Sequence, residues 1–114
     1  MADGQSGRSG ITLVALLYLH PGSDDAFGRF ESAASRIMAR YGGRIERRIR
    51  IAPTERSADE RSPDEIHVVR FPDEASFASY RADPELRGLG ELRASAIRET
   101  VIWRGDDAAP FRSS

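Results

Sequence analysis

The stretch Ile11-Thr12-Leu13-Val14-Ala15-Leu16-Leu17-Tyr18-Leu19, followed by His20-Pro21-Gly22, decides the fold. Alternate residues are apolar on both sides: Ile11, Leu13, Ala15, Leu17 and Leu19 on one, Val14, Leu16 and Tyr18 beside Thr12 on the other. A strand of that kind lies centrally in a sheet with something covering each face. A buried helix is the competing reading of a short apolar run, and the turn residues His20-Pro21-Gly22 favour a strand that stops there.

Working outward, Ser23 reads as a helix cap with Asp24 and Asp25 in the first turn, where the helix dipole favours anions. Ala26, Phe27, Phe30, Ala33, Ala34, Ile37, Met38 and Tyr41 then fall at helical spacing, with Arg29, Glu31, Arg36 and Arg40 on the other face. Gly42-Gly43 ends this helix. Arg44 to Ile51 alternates as a second strand, 52–64 reads as a polar loop, and Glu65 to Phe71 as a third strand. A second helical region starts at Pro72-Asp73, buries Phe77 and Tyr80, restarts at Asp83-Pro84 and continues through Leu86, Leu89 and Leu92. Thr100 to Arg104 is the last strand. The order β-α-β-β-α-β predicts an α+β ferredoxin-like domain over 11–105. Its four-stranded antiparallel sheet has strands one and three central and both helical regions on one face.

Alternation then assigns the faces. Leu13, Leu17, Leu19, Ile45, Ile49, Ile51, His67, Val69, Phe71, Val101 and Trp103 are expected under the helices. Thr12, Val14, Leu16, Tyr18, Ile66, Val68 and Ile102, with Arg48, Arg50, Arg70 and Arg104 among them, are expected on the open face. An apolar centre with a charged rim is what a partner covers, and a second copy is the simplest cover, so a homodimer through the open sheet face is expected. A one-residue slip in register would exchange the two sets. Charge on the arginine-rich second strand also protects an edge from unwanted pairing.

With 114 residues, one domain is accommodated and two are not. Residues 1–10 and 106–114 read as loose tails, although Phe111 offers a docking group. No cysteine is present, which removes disulfides, thiolate nucleophiles and zinc–cysteine sites. All 17 basic residues are arginine, which removes Schiff-base and P-loop lysine chemistry. The net charge of −1 gives no basic excess for nucleic acid, and the run 11–19 is too short to span a membrane. MADGQSGRSG lacks the layout of a signal peptide, so a cytoplasmic protein is expected. His20 and His67 form no ligand-spacing motif, and no metal is expected.

Tyr41-Gly42-Gly43, Phe71-Pro72 with Phe77 and Tyr80, Asp83-Pro84-Glu85-Leu86, Leu92-Arg93 and the final Trp103-Arg104-Gly105 together resemble the dimeric α+β barrel superfamily. The likeness is to one of its short, functionally uncharacterised families. The superfamily also holds antibiotic-biosynthesis monooxygenases, small isomerases and dehydratases, and haem-handling enzymes. The resemblance implies a ligand pocket between sheet and helices, and the long 52–64 loop is expected to cover it. No cofactor is expected; haem stays open on superfamily grounds, though no helix carries an axial histidine.

In such a pocket His67 serves as general base, against the plain role of a core histidine bonded to a carbonyl. Tyr80 or Tyr18 would donate a proton and Arg70 would hold an oxyanion. Trp103 would stack on a flat ligand, and Phe71 and His20 complete the lining. The expected activity is cofactor-independent chemistry of oxygenase, isomerase or cyclase type on a small aromatic or polyketide-like molecule. The lack of asparagine departs from some monooxygenase relatives. The alternative is a homodimeric ligand-binding or interaction module without turnover.

Overall fold

The computed structural model describes residues 10–111. Apart from Gly10, the expected N-terminal tail lies outside the described residues. The elements run β1 (Ile11–Leu19), α1 (Asp24–Ala39), β2 (Arg44–Arg50), α2 (Pro53–Ala58), β3 (Glu65–Phe71), α3 (Glu74–Ala82), α4 (Pro84–Gly88), α5 (Gly90–Ala96) and β4 (Ile97–Gly105). The four strands form one antiparallel sheet in the order β2-β3-β1-β4, which puts β1 and β3 in the centre. This is the ferredoxin-like α+β plan. The 52–64 segment holds the short helix α2, opened by Pro53. Phe111 stands fully in solvent and docks nowhere.

Local sequence explains the joints. Ser23 heads α1, but its hydroxyl makes no side-chain cap. It donates instead to His20 O at 2.7 Å, shared with Ala96 O at 3.0 Å, and so ties the end of β1 to the end of α5. Asp73 caps α3 through Ser76 N at 2.7 Å, and Asp83 caps α4 through Glu85 N and Leu86 N. The Tyr41 hydroxyl donates to Asp83 at 2.6 Å and links the end of α1 to the α3–α4 corner.

The helices cover one face of the sheet, and the core beneath them falls into two clusters. Leu17, Phe27, Phe30, Ala34, Ala96 and Ile97 form one; Leu13, Met38, Val69, Phe71 and Phe77 form the other. On β1 and β3 the expected faces are correct: Leu13 opposes Val69 and Ala15 opposes His67 under the helices, while Val14 opposes Val68 and Leu16 opposes Ile66 on the open side.

On both edge strands the expected faces are reversed, except at Ile45, which lies under the helices as expected. In β2 the pairing slips between Ile45 and Arg47, so Arg48 opposes His67, Ile49 opposes Ile66 and Arg50 opposes Glu65. This bulge leaves Ile45 under the helices, moves Ile49 to the open face and turns Arg48 and Arg50 inward. Ile51 lies beyond the end of β2. In β4, Ile102 opposes Ala15 and Trp103 opposes Val14. Ile102 and Arg104 therefore lie on the helix side, and Val101 and Trp103 on the open side. Arg104 reaches over the Phe77 ring at 5.5 Å and pairs with Glu74 at 2.7 Å.

Two glycines of the helical layer behave oppositely. A methyl on Gly43 would fall on the Phe71 ring and 2.6 Å from Met38 Cγ, whereas a methyl on Gly28, within α1, meets nothing within 4 Å. Gly43→Ala should lower stability by about 1–3 kcal/mol through overpacking. Gly28→Ala should raise it by about 0.5–1 kcal/mol through helix propensity. Urea-denaturation midpoints of the two variants check this, and a shift of the same sign in both would refute it.

Candidate functional site

Between sheet and helices, where the two core clusters meet, lies a cavity of about 460 Å³. Its walls are mostly aliphatic and aromatic, and its polar groups are few: Glu31 from α1, His67 from β3, Tyr80 and Arg81 from α3, Arg93 from α5 and Thr100 from β4. A largely apolar cleft with a few convergent polar groups is the usual form of a small-molecule site.

His67 is nearly inaccessible at 3%, as is its neighbour Glu65 at 4%. Strand alternation puts both on the helix side of β3. Burial of Glu65 opposes its charge, but two bonds from Arg48, at 3.1 and 2.9 Å, and one from His67 hold its carboxyl below the usual range. With Glu65 ionised, His67 donates through Nε2 over 2.9 Å. Its other nitrogen, Nδ1, then carries the lone pair and faces Glu31 Oε1 at 3.9 Å, beyond hydrogen-bond distance. Burial outweighs the pull of Glu65 and lowers the pKa of His67, which keeps the ring neutral near pH 7.

Glu31 is the group most displaced from its ordinary state. Burial first, and the nearby charge of Glu65 second, push its carboxyl up to about 7, against the opposing pull of Arg48 and Arg93. Tyr80 is pushed up to about 12 by burial and by the charge of Glu31, so its hydroxyl stays protonated. The cavity thus presents a carboxyl poised between its two forms, a neutral imidazole and a phenol that keeps its proton and can donate it in a hydrogen bond. That is a proton-transfer set near neutrality.

Of the residues expected at the site, His67, Tyr80 and Phe71 line this cavity, whereas Arg70, Tyr18, Trp103 and His20 do not. Arg70 opposes Thr12 on the other side of the sheet, bonding Thr12 Oγ1 at 3.0 Å and Asp107 at 2.6 Å. Tyr18 donates to Arg61 O at 3.1 Å under the Arg98 guanidinium. Trp103 is 59% exposed on the open face. His20 sits exposed in the turn after β1, its backbone N–H bonded to Ala96 O. The 52–64 segment does not roof the cavity; its Arg56 and Asp64 line a second, smaller one of about 310 Å³ with Arg48 and Glu65.

Sequence reasoning missed Glu31, Glu65, Arg48 and Arg93. Two of these had a signal. Glu31 comes four residues after Phe27 and three before Ala34, within the spacing of the apolar stripe. Glu65 alternates with His67, Val69 and Phe71. Arg48 had none, because the bulge that turns it inward leaves no mark in the pattern.

Among the described residues, no group of three or more His, Asp or Glu side chains is placed to hold a metal ion. No helix there is long and apolar enough to cross a membrane.

No protein-family model matches the chain, and no curated protein matches it. Solved structures do. A protein of unknown function from Rhodopseudomonas palustris superposes with a TM-score of 0.70 at 17% identity, covering 96% of this chain and 93% of that one. SnoaB, a cofactor-independent oxygenase from Streptomyces nogalater, gives 0.61 at 13% identity, over 90% and 99%. A dimeric protein of unknown function and ferredoxin-like fold from Bacteroides fragilis gives 0.62 at 13% identity, over 87% and 97%. At these identities the likeness establishes one thing, the ferredoxin-like fold that this chain shares with monooxygenase-type proteins and with uncharacterised dimeric ones.

Proposed function

We propose that the chain is a small enzyme that abstracts a proton from an aromatic or polyketide-like carbon acid without a cofactor. The observation that supports this is the Glu31 carboxyl, raised to about 7 inside a mostly apolar cavity. As carboxylate it takes the proton, and the electron pair left on carbon delocalises onto a carbonyl oxygen. Tyr80, still protonated, donates to that oxygen. His67 faces Glu31 and receives its proton through Nδ1 once the groups close up. Return of the proton at another carbon gives an isomerase, and attack of the carbanion on a second carbonyl carbon of the same molecule, whose oxygen then takes the proton, gives a cyclase. Transfer of an electron from the anion to dioxygen, then recombination of the radical pair, leaves a carbon-bound peroxide that takes the abstracted proton; loss of water with the hydrogen still on that carbon leaves a carbonyl, the outcome of an oxygenase. All three share the first step. This assigns the base to Glu31 with His67 behind it, and leaves Arg70, Tyr18, Trp103 and His20 outside the chemistry.

A binding module without turnover is the second reading. It is favoured by the Arg48–Glu65–His67 bonds, which satisfy these groups without any ligand. Solvent deuterium exchange into a panel of anthrones and bicyclic β-diketones, followed by proton NMR, separates the two. The wild type should accelerate exchange, with a rate that climbs with pH and levels off above about 7. Glu31→Gln should slow it about a hundredfold or more. No acceleration over buffer with any probe, or equal rates in the variant, would leave the binding module.

The displaced carboxyl also predicts a pH dependence of stability. Its folded pKa of about 7 lies above the ordinary 4.5, so the native state holds the extra proton between those values. The contribution of Glu31 is therefore fully present below pH 4.5 and lost as pH rises through 7. The loss is about 3 kcal/mol at most. Glu31→Gln should remove it, gaining on the wild type at pH 8 but not at pH 5 when urea midpoints are compared. His67 titrates in both proteins, so the difference isolates Glu31. A constant gap between the two would refute the assignment.

We further propose that two copies join through the open sheet face. Val14, Leu16, Ile66 and Val68 form its centre, and Ile49 and Trp103, exposed by 37% and 59%, extend it to the edges. The dimeric neighbour of the same fold supports the assembly. Light scattering after size exclusion should give a dimer for the wild type at micromolar concentration and a monomer for Val68→Glu. A monomeric wild type would refute it.

A further inference from the structure

Arg93 differs from the other arginines near the cavity in what holds it. Arg48, on edge strand β2, is bound to Glu65, and Arg104, on the opposite edge strand β4, to Glu74. Arg93 lines the cavity, and among the described residues no carboxylate lies within salt-bridge distance of it. Among the described residues its one hydrogen bond runs from Nη2 to Thr100 Oγ1 at 2.7 Å, which draws the guanidinium toward β4 and engages one of its five donors. Arg81 is placed similarly at the same cavity, resting at 5.5 Å over the Phe77 ring with no carboxylate partner among the described residues. Both arginines are exposed at the rim, and the only acid among the lining residues is Glu31, beside a neutral His67. The mouth of the cavity is therefore cationic and its body apolar.

We infer that the molecule taken by this site carries a carboxylate, received by Arg93, on an aromatic or otherwise apolar body that fills the cavity. The planar fork of arginine matches a carboxylate with two parallel hydrogen bonds; Arg93 is exposed, so the carboxylate sits at the mouth of the cavity and the apolar body lies inside. Thr100 acts as a positioning residue: its hydroxyl orients the guanidinium without touching the ligand. The inference deepens the proposed proton abstraction and rests on it for the idea that the cavity is a substrate site. It narrows the carbon acid to one with an anionic handle remote from the proton that leaves.

Isothermal titration of the full chain with 2-naphthoate and its neutral counterpart 2-naphthalenemethanol, below neutral pH, tests this. Wild type should bind the acid about tenfold or more tightly than the alcohol. Arg93→Gln should abolish that preference and leave affinity for the alcohol unchanged, and Thr100→Val should reduce it. Arg87→Gln, which removes an arginine of α4 that does not line the cavity, should leave the preference intact. Equal affinities in the wild type, a preference that survives Arg93→Gln, or one lost equally in Arg87→Gln would overturn the inference. Binding is read here without turnover. A missing deuterium exchange and a missing carboxylate preference are therefore separate results.

Discussion

A carboxylate buried beneath a helical layer has to be neutralised where it stands, and Glu65 sets that condition for the rest of the molecule. It is almost fully inaccessible at the start of a central strand, and water cannot solvate it. Leaving such a charge uncompensated costs several kcal/mol, far more than a surface pair is worth. Arg48 supplies the compensation only because β2 bulges after Ile45 and turns that arginine inward. The imidazole of His67 is then fixed as a donor to Glu65, which leaves its second nitrogen toward the cavity. The bulge, the ion pair and the histidine tautomer are one arrangement, and the state of Glu31 follows from it, because part of its displacement comes from the charge of Glu65.

The short motifs through which the chain resembles dimeric α+β barrels have a different job. Gly43 packs on the Phe71 ring and Gly42 turns with φ of +75°, close against Pro72. Tyr41 bonds Asp83, which in turn caps α4. These residues lock one corner where α1, the end of β3 and the α3–α4 junction meet. They specify how the helices sit on the sheet and hence the width of the cavity. Of the polar groups at the cavity, Tyr80 and Arg93 belong to those motifs, while Glu31 and His67 come from elsewhere; the resemblance therefore supports an architecture and leaves the chemistry to be argued from the site.

The central strands and α1 were legible because their signals are redundant. β1 is apolar on both faces and ends in turn residues, and α1 repeats its stripe over four turns with glycines behind it. The edge strands were not. A bulge is a backbone event that inverts every later side chain, and nothing in RIERRIR marks where it falls. Trp103 was expected inside because Val101 and Trp103 make the more apolar alternate set of their strand. The register with β1 places it outside, opposite Val14. Arg70 was expected on the open face and lies there, opposite Thr12, so its assignment to a pocket on the other side of the sheet ran against the alternation that placed it. The site was half legible. His67, Tyr80 and Phe71 came from alternation and helix facing, while Glu31 was hidden by treating every charged residue of α1 as solvated.

The division of the interior into two clusters has its own consequence. Leu17 and its neighbours pack at one end, Phe71 and its neighbours at the other, and hollow space lies where a continuous core would carry contacts between them. An occupant of that space acts as a keystone, giving each cluster the partner atoms it lacks. On the proposed reading of the cavity, a bound molecule would therefore join the two halves of the interior and raise the stability of both at once.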